Sequence, residues 1–451
     1  MSTLRSSCVY NTPVARDPTS SQPDPFEPKL SRARAEQYVS DFRSCLIGPM
    51  PVNEFLDHFL PITETGDPPS SQGAFADVPA RCVRESDICV PLVSSKRYLR
   101  SSHCKSVQVA ALNQNTPSES HGCPRFVFES TPSRRSRLTR LGDMRPHICC
   151  YTSDNLLSVG HVHASPRVEL GYAELFIEVR PDAAGDIFVD PPSDADATAR
   201  QAHNFLTSPG STMSKDELVA TLGKHIALAV EVLARQQRVF LFSIAVFGSL
   251  ARFLRWDRAG CVVSEAFDFR EQPQHLCQFI WRFAMTSDLG RGHDSTIRLA
   301  STEEENIFHN AIKKHISFEL RLPDEGIDLH VAQHYEKDHV FAVDLLHHRF
   351  TAREENTRRF FVSRPVVTPL FLANRGTRGY WAVDSSSHEV VFLKDTWRLT
   401  TSWEVEGDTL RRLTDVGVRY VPSLVWHGDV PSVSLDKTHK LASEYFFHVS
   451  S

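Results

Sequence analysis

Apolar positions recur along the chain with the periods of both helices and strands. A capping-box pattern, Ser214-Lys-Asp-Glu217, opens a stretch of helical spacing that ends near Gln236. The apolar positions on this predicted helical face are Leu218, Leu222, Ile226, Val230 and Leu233. Runs of β-branched and aromatic residues then predict strands over 238–247, 250–256 and 261–269, with a turn at 257–260.

Weaker patterns predict further elements upstream of that helix. Ser31 is the predicted N-cap of a helix that ends at Arg43, and a second helix begins near Pro51, since proline is tolerated in a first turn. Segments 145–151 and 174–180 are typical of strands, and a Phe- and Trp-rich helix is predicted later in the chain, over 274–285. The order of strands, helix and strands indicates an α+β or α/β domain.

The C-terminal part of the pattern is mainly β. Residues 301–325 are predicted to connect two domains, with the charge run Glu303–Glu305 on a solvated face. Short strands and one helix follow, at 340–346, 359–367, 380–383, 390–394 and, for the helix, 404–416. The predicted fold class is α+β, with a tail at 1–29, a helical and Pro/Ser-rich segment at 30–140, an α/β domain at 141–300, a connector at 301–335 and a β-rich domain at 336–451.

Charge and composition exclude several classes of protein. The 451 residues include 50 Lys and Arg against 55 Asp and Glu, a net charge of −5 that argues against a strongly basic nucleic-acid binder. A local basic cluster at Arg134, Arg135, Arg137 and Arg140 is read as a solvated loop.

Other features of the sequence bear on its cellular compartment. No run of about 18 apolar residues predicts a membrane span, and the N-terminus lacks the apolar core of a secretory signal. The ten cysteines form no CxxC pair and are expected to be reduced thiols. The predicted location is cytoplasmic or nuclear.

One constellation indicates chemistry. Gly376 and Gly379 lie between two predicted strands, Lys394 ends the next strand, and Glu406 falls in the following helix. A glycine-rich hairpin, a strand lysine and a helix glutamate, in this order, form the ATP-binding apparatus of a protein-kinase small lobe. Glycines let the backbone approach phosphates, the lysine contacts the α- and β-phosphates, and the glutamate holds the lysine.

The segments 376–384 (GTRGYWAVD) and 391–397 (VFLKDTW) resemble the fungal-type protein kinase family, of the basidiomycete type. So do 247–260, 279–283 (FIWRF) and 291–294 (RGHD), and the resemblance covers roughly residues 140 to 430.

The resemblance implies an α/β N-terminal region joined to a kinase fold, ATP as cofactor, and phosphoryl transfer to protein Ser/Thr as the family activity. It also implies that Gly376 and Gly379 line the phosphates, that Lys394 binds them and that Glu406 pairs with Lys394. Asn374 stands where a first glycine is expected, which weakens or abolishes the implied ATP binding.

The remaining parts of a kinase are not in this sequence. Transfer needs a catalytic-loop Asp, an Asn and a D-F-G Asp that hold Mg²⁺, yet no D-F-G occurs and residues 395–451 are too few for a large lobe. His427-Gly-Asp429 is read as a turn. We therefore expect a truncated, pseudokinase-like chain with no catalytic residue and no bound Mg²⁺; whether it is an enzyme is left open.

A second constellation resembles a degenerate restriction-endonuclease-like site. Pro146-His147 and Glu178-Val-Arg180 occupy the positions of a P-D and E-x-K metal motif. His147 is a poor ligand for a hard metal, and Arg180 cannot act as the lysine does, so no metal is predicted. The pairs His161/His163 and His347/His348 are likewise not read as metal ligands. The alternative function is a non-catalytic binding or regulatory module built on this domain, with a protein partner or substrate that the sequence does not identify.

Overall fold

A computed structural model defines the fold of most of the chain. It describes residues 28–62, 71–93, 126–130, 146–153, 155, 170–207, 213–294, 296–321, 326–346, 357–367, 369, 372, 376–398, 405–429 and 444–450. Residues 1–27 of the predicted tail, the basic cluster at 134–140, both histidine pairs and Asn374 lie outside these ranges. The chain divides into two compact units, one comprising 24–232 with 238–293, the other comprising 1–23, 233–237 and 294–451.

The first unit holds an eight-stranded sheet and most of the helices. Its helices are α1 (Pro28–Phe42), α2 (Val52–Phe59), α3 (Ser86–Val93), α4 (Ala197–Ala202), α5 (Lys215–Arg235) and α6 (Pro273–Met285). Its strands are β1 (Leu46–Met50), β2 (Phe126–Ser130), β3 (Ile148–Thr152), β4 (Leu175–Arg180), β5 (Phe240–Phe247), β6 (Leu250–Asp257), β7 (Cys261–Ser264) and β8 (Phe267–Asp268).

The first sheet is mixed. Its order is β1-β7-β6-β5-β4-β3-β2, with β8 beside β6. The pairs β1–β7 and β4–β5 are parallel, and the other pairs are antiparallel. All eight residues of β5 are buried, so an uninterrupted apolar run rather than an alternating one marks this central strand.

Most of the elements predicted for this unit are confirmed, but β1 and α4 were not predicted, and α1 and α3 also differ from the prediction. The capping box at α5 is present: the Glu217 N–H donates to Ser214 Oγ (3.2 Å) and the Ser214 N–H to Glu217 Oε2 (2.9 Å). Ser31 is not an N-cap, because α1 already begins at Pro28. Helix α3 was not predicted, since Pro91 inside it interrupts the pattern.

The second unit is built on an antiparallel sheet. Its strands are β9 (Ile297–Leu299), β10 (Phe341–Leu346), β11 (Thr357–Val362), β12 (Pro365–Val367), β13 (Arg378–Asp384), β14 (Val390–Arg398), β15 (Leu424–Asp429) and β16 (Glu444–Ser450). Its helices are α7 (Thr302–Leu320), α8 (Ile327–His334) and α9 (Glu406–Asp415). The strand order is β15-β16-β14-β13-β11-β10-β9, with β12 beside β13.

The segment 301–335, expected to be a connector, instead forms the helices α7 and α8 of this unit. Both helices pack into its core through Phe308, Ile312, Ile316 and Val331. Burial of this apolar stripe explains why the segment folds as helix, and the charge run lies in the first turn of α7, where the helix dipole favours acidic residues. His427 lies inside β15, so the turn predicted at His427–Asp429 is wrong: the segment forms strand hydrogen bonds with β16.

Helices and two sheets together confirm the α+β class. The restriction-endonuclease-like and small-lobe assignments, and the predicted domain limits, stay predictions. In the described part of the chain, no helix combines the length and the apolar character that a bilayer span needs.

Candidate functional site

The predicted site residues converge on the hairpin of β13 and β14. The two strands pair antiparallel, and their register places Gly379 opposite Lys394. Asp384 ends β13 and closes the turn, because its Oδ1 accepts hydrogen bonds from the Ser386 N–H (2.8 Å) and hydroxyl (2.7 Å). The polar turn and the β-branched and aromatic strands thus fix the register in which Lys394 is presented.

Lys394 reaches the first residue of α9. Its Nζ lies 2.5 Å from Glu406 Oε2, and the side chains are 26% and 40% exposed. Ion pairs this open to water add little to folding stability, because solvent screens them and side-chain entropy opposes them. The pair therefore matters chiefly by holding one ammonium group at a defined, accessible position.

The two predicted glycines differ in their surroundings. Gly376 precedes β13 with a φ of +46°, a left-handed conformation that favours glycine. Gly379 lies within β13, where an added Cβ would come 2.6 Å from Cζ of Phe392 and 3.3 Å from Cβ of Val367. Packing alone thus gives a reason for glycine at 379, whereas Gly376 provides backbone freedom at the start of the hairpin.

A buried ion pair that the sequence reading missed stands beside these residues. Arg378 and Asp395 face each other across the hairpin, are 2% and 1% exposed, and bond through Nε and Oδ2 at 2.7 Å. Arg378 also donates to the carbonyl of Gln236 at 3.0 Å. Because side chains alternate along a strand, this pair occupies the sheet face opposite to that of Lys394. Both residues lie in the segments that carry the family resemblance, but charged residues in a hairpin are normally read as exposed.

Helix α9 packs directly on β15. Gly407, its second residue, is covered by the ring of His427: an added Cβ would lie 2.6 Å from both Cβ and Nδ1 of that histidine. His427 is 1% exposed, and its Nε2 lies 2.8 Å from a terminal nitrogen of Arg411. Sequence reading missed this contact too, since it placed His427 in a turn.

The residues of the second constellation also meet, in the first unit. Glu178 Oε2 lies 2.8 Å from Nζ of Lys224 and 3.3 Å from Nδ1 of His147, while Arg180 donates to Thr221 Oγ1 at 3.1 Å. Burial disfavours the Glu178 carboxylate, but Lys224 and His147 outweigh that effect and lower its pKa to about 2.

This constellation is an ion-pair cluster in the structure. Lys224 comes from α5, outside the motif considered in the sequence, and its ammonium pairs with Oε2 of the Glu178 carboxylate. Nowhere in the described ranges do three His, Cys, Asp or Glu side chains gather as metal ligands would. The alternative reading, a binding or regulatory module on this unit, stays a prediction.

The segment 291–294 has a structural role in the same unit. Arg291 Nε and His293 Nε2 lie 3.3 Å and 3.1 Å from Glu174 Oε2, and Arg238 binds the same oxygen at 3.0 Å. Burial opposes the Glu174 charge, but Arg238, His293 and Arg291 outweigh it and hold the carboxyl pKa well below its usual value. These residues anchor the start of β4.

Comparison with known proteins identifies the family of the chain. The model of the fungal protein kinase family matches residues 207–444, more than half of the 451-residue chain, and the matched region includes Gly376, Gly379, Lys394 and Glu406. No curated protein and no solved structure matches the chain. The extent of the family match shows that the chain belongs to the fungal protein kinase family.

Proposed function

We propose that the second unit is a kinase-type small lobe that binds the phosphates of ATP through Lys394. The observation that carries this proposal is the 2.5 Å ion pair between a strand lysine and the first residue of the following helix. In kinases the equivalent lysine contacts the α- and β-phosphates, and the helix glutamate holds it there. Gly376, with its left-handed backbone just before β13, would approach the phosphates from the other side of the hairpin.

The residues present fit the phosphate end of a nucleotide. Lys394 is partly exposed, so its ammonium can reach a ligand while Glu406 keeps it in place. Gly379 has a weaker claim to a phosphate contact than Gly376, because the ring of Phe392 occupies the space beside its α-carbon.

We further propose that these 451 residues bind nucleotide without transferring its phosphoryl group. Transfer requires carboxylates that hold Mg²⁺ and an Asp that orients the acceptor hydroxyl. The sequence has no D-F-G motif, and the acidic residue next to Lys394, Asp395, is committed to a buried pair with Arg378. This supports a pseudokinase-like role for these residues.

Binding can be tested with the purified chain and a fluorescent ATP analogue. Lys394→Ala removes one charge-assisted contact, worth about 1.5–3 kcal/mol, so affinity should fall roughly 10- to 100-fold. The matched control is Lys313→Ala on α7, whose ammonium is 3.2 Å from Asp328 and exposed. The control should bind like the wild type. Equal affinity of Lys394→Ala and wild type, or no binding by the wild type, would overturn the proposal.

A radiolabelled phosphotransfer assay tests the second part of the proposal. The wild-type chain should give no signal above that of Lys394→Ala with ATP, Mg²⁺ and a Ser/Thr-rich protein acceptor. A wild-type signal that disappears in Lys394→Ala would contradict a non-transferring role.

A further inference from the structure

His427 and Gly407 form a close contact that has consequences for Lys394. His427 is buried in β15, and its ring lies against the backbone of α9 at Gly407, where no side chain would fit. A side chain at position 407 would collide with this ring unless α9 moved away from the sheet. The ring therefore sets how closely the first turn of α9 approaches β15.

The side chain of Arg411, itself paired with Asp408, holds the same ring. Arg411, one helical turn beyond Gly407 and thus on the same face, donates to His427 Nε2 at 2.8 Å. Asp408 Oδ1 lies 3.5 Å from the other terminal nitrogen of Arg411, so the carboxylate orients the arginine that donates to the ring. The imidazole contacts α9 twice, through Gly407 and through Arg411. These two contacts fix both the distance of the helix from the sheet and its rotation about its own axis.

The strand register connects this contact to Lys394. Lys394 of β14 pairs with position 448 of β16, and position 448 pairs with His427 of β15. Residues directly opposite in register lie on the same sheet face, so Lys394 and His427 project towards α9 from positions about 10 Å apart. The helix contacts both of them through consecutive residues, Glu406 and Gly407.

We propose that His427 is a positioning residue for the nucleotide site: by seating Gly407, it places the neighbouring Glu406 against Lys394. The importance of this for nucleotide binding rests on the proposed function, whereas the placement of Glu406 does not. The imidazole is the right size for a spacer, because it leaves room for glycine at 407 and for nothing larger.

A swap of volume between the two positions tests the inference. Gly407→Ala should displace α9 and separate Glu406 from Lys394. Adding His427→Ala in the same chain removes the ring and leaves room for the new methyl group, so the double variant should return towards wild type. Leu410→Ala, at another buried position of α9, is the control for a helix that is merely destabilised.

The readout is the rate at which an amine-acylating reagent modifies Lys394, measured by peptide mass spectrometry against Lys313 in the same sample. An ammonium group without its carboxylate partner is more reactive, so Gly407→Ala should raise the Lys394 rate several-fold. The double variant should lower it again, and Leu410→Ala should leave it unchanged in folded protein.

The outcomes separate the two proposals. If Lys394 reacts at the wild-type rate in Gly407→Ala, or if the double variant fails to reverse an increase, the positioning role is wrong. If Gly407→Ala does not fold, recovery of folded protein by the double variant supports the role, and lack of recovery refutes it. Because labelling needs no nucleotide, a wild type that binds no ATP would refute only the proposed function.

Discussion

At the scale of single residues, burial decides which charged contacts matter for stability. Arg378 and Asp395 are almost fully buried, whereas Lys313 and Asp328 are 38% and 82% exposed. The buried pair can be lost only at the cost of leaving a charge in a poorly solvated position. The exposed side chains stay hydrated whether or not they pair, so the loss of this pair has little effect on stability.

Asp395→Ala should therefore lower the free energy of unfolding by about 3–5 kcal/mol, since it leaves the buried Arg378 without its carboxylate. Asp328→Ala should change it by less than about 1 kcal/mol. Urea denaturation followed by circular dichroism measures both variants. Similar losses in the two variants would mean that Arg378 is solvated after the substitution, contrary to its 2% exposure.

Of the two ion pairs at the β13–β14 hairpin, the sequence predicted Lys394–Glu406 and not Arg378–Asp395. Lys394 and Glu406 could be anticipated because a glycine-rich hairpin, a strand lysine and a helix glutamate follow one another in the order that is typical of kinases. Arg378 and Asp395 could not, because their burial depends on which face of the hairpin is covered, and this is set by the rest of the unit. His427 was missed for the same reason: its partner Gly407 leaves no apolar signal on α9.

At the scale of elements, the charge run 303–305 forms part of the start of α7, because its Glu304 completes a capping box with Ser301. The N-cap Ser301 accepts from the Glu304 N–H (3.3 Å), and the Ser301 N–H donates back to Glu304 Oε2 (2.8 Å). Both oxygens of Glu304 also bind Arg298, at 2.7 Å and 2.6 Å. The capping box and the spacing of Phe308, Ile312 and Ile316 are visible in the sequence, but an acidic run is also typical of a solvated connector.

Glu304→Gln should lower the free energy of unfolding by about 1–2 kcal/mol at pH 7, because it weakens the cap and removes the charge that Arg298 contacts. Glu303→Gln, in the same first turn, is the control and should cost less than about 0.5 kcal/mol. Urea denaturation measures the difference.

The same pair of variants carries a pH dependence. The hydrogen bond from Arg298 lowers the pKa of Glu304 to about 2, from about 4.5 in the unfolded chain. A lowered carboxyl pKa stabilises the fold above pH 4.5, and that stabilisation disappears as the pH falls towards 2. The difference in the free energy of unfolding between wild type and Glu304→Gln should therefore become smaller as the pH falls from 4.5 towards 2. If this difference stayed constant down to pH 2.5, the charge of Glu304 would not contribute to stability.

At the scale of the whole molecule, the α+β class could be predicted because the helical periodicity of α5 and the apolar run of β5 are both visible in the sequence. The division into units could not, because residues 233–237 and 294–451 meet through contacts between distant parts of the chain. Burial also gives both units a common response to acid. It lowers the pKa of His225 in the first unit and of His334 in the second to about 4.

A lowered histidine pKa destabilises the fold in acid, because the unfolded chain takes up a proton near pH 6.5 while the folded chain does not do so until about pH 4. For His225 this should cost about 2 kcal/mol at pH 5 relative to pH 7. The His225 ring packs between Phe176 and Trp256, with ring centroids 5.5 Å and 5.8 Å apart. Phenylalanine can therefore replace the histidine with similar packing. Between pH 7 and pH 5, the free energy of unfolding of His225→Phe should therefore fall by about 2 kcal/mol less than that of wild type.

Ser243→Ala is the control for this prediction. It removes the hydroxyl 3.5 Å from His225 Nε2 and keeps the titrating ring, so its stability should shift by a similar amount at every pH. Urea denaturation at pH 7, 6 and 5 compares the three proteins. Proton NMR of the imidazole gives an independent measure, since the His225 signal should not move between pH 8 and about pH 5. A midpoint near pH 6.5 in the folded protein would show that water reaches the ring and would remove the basis for the predicted acid sensitivity.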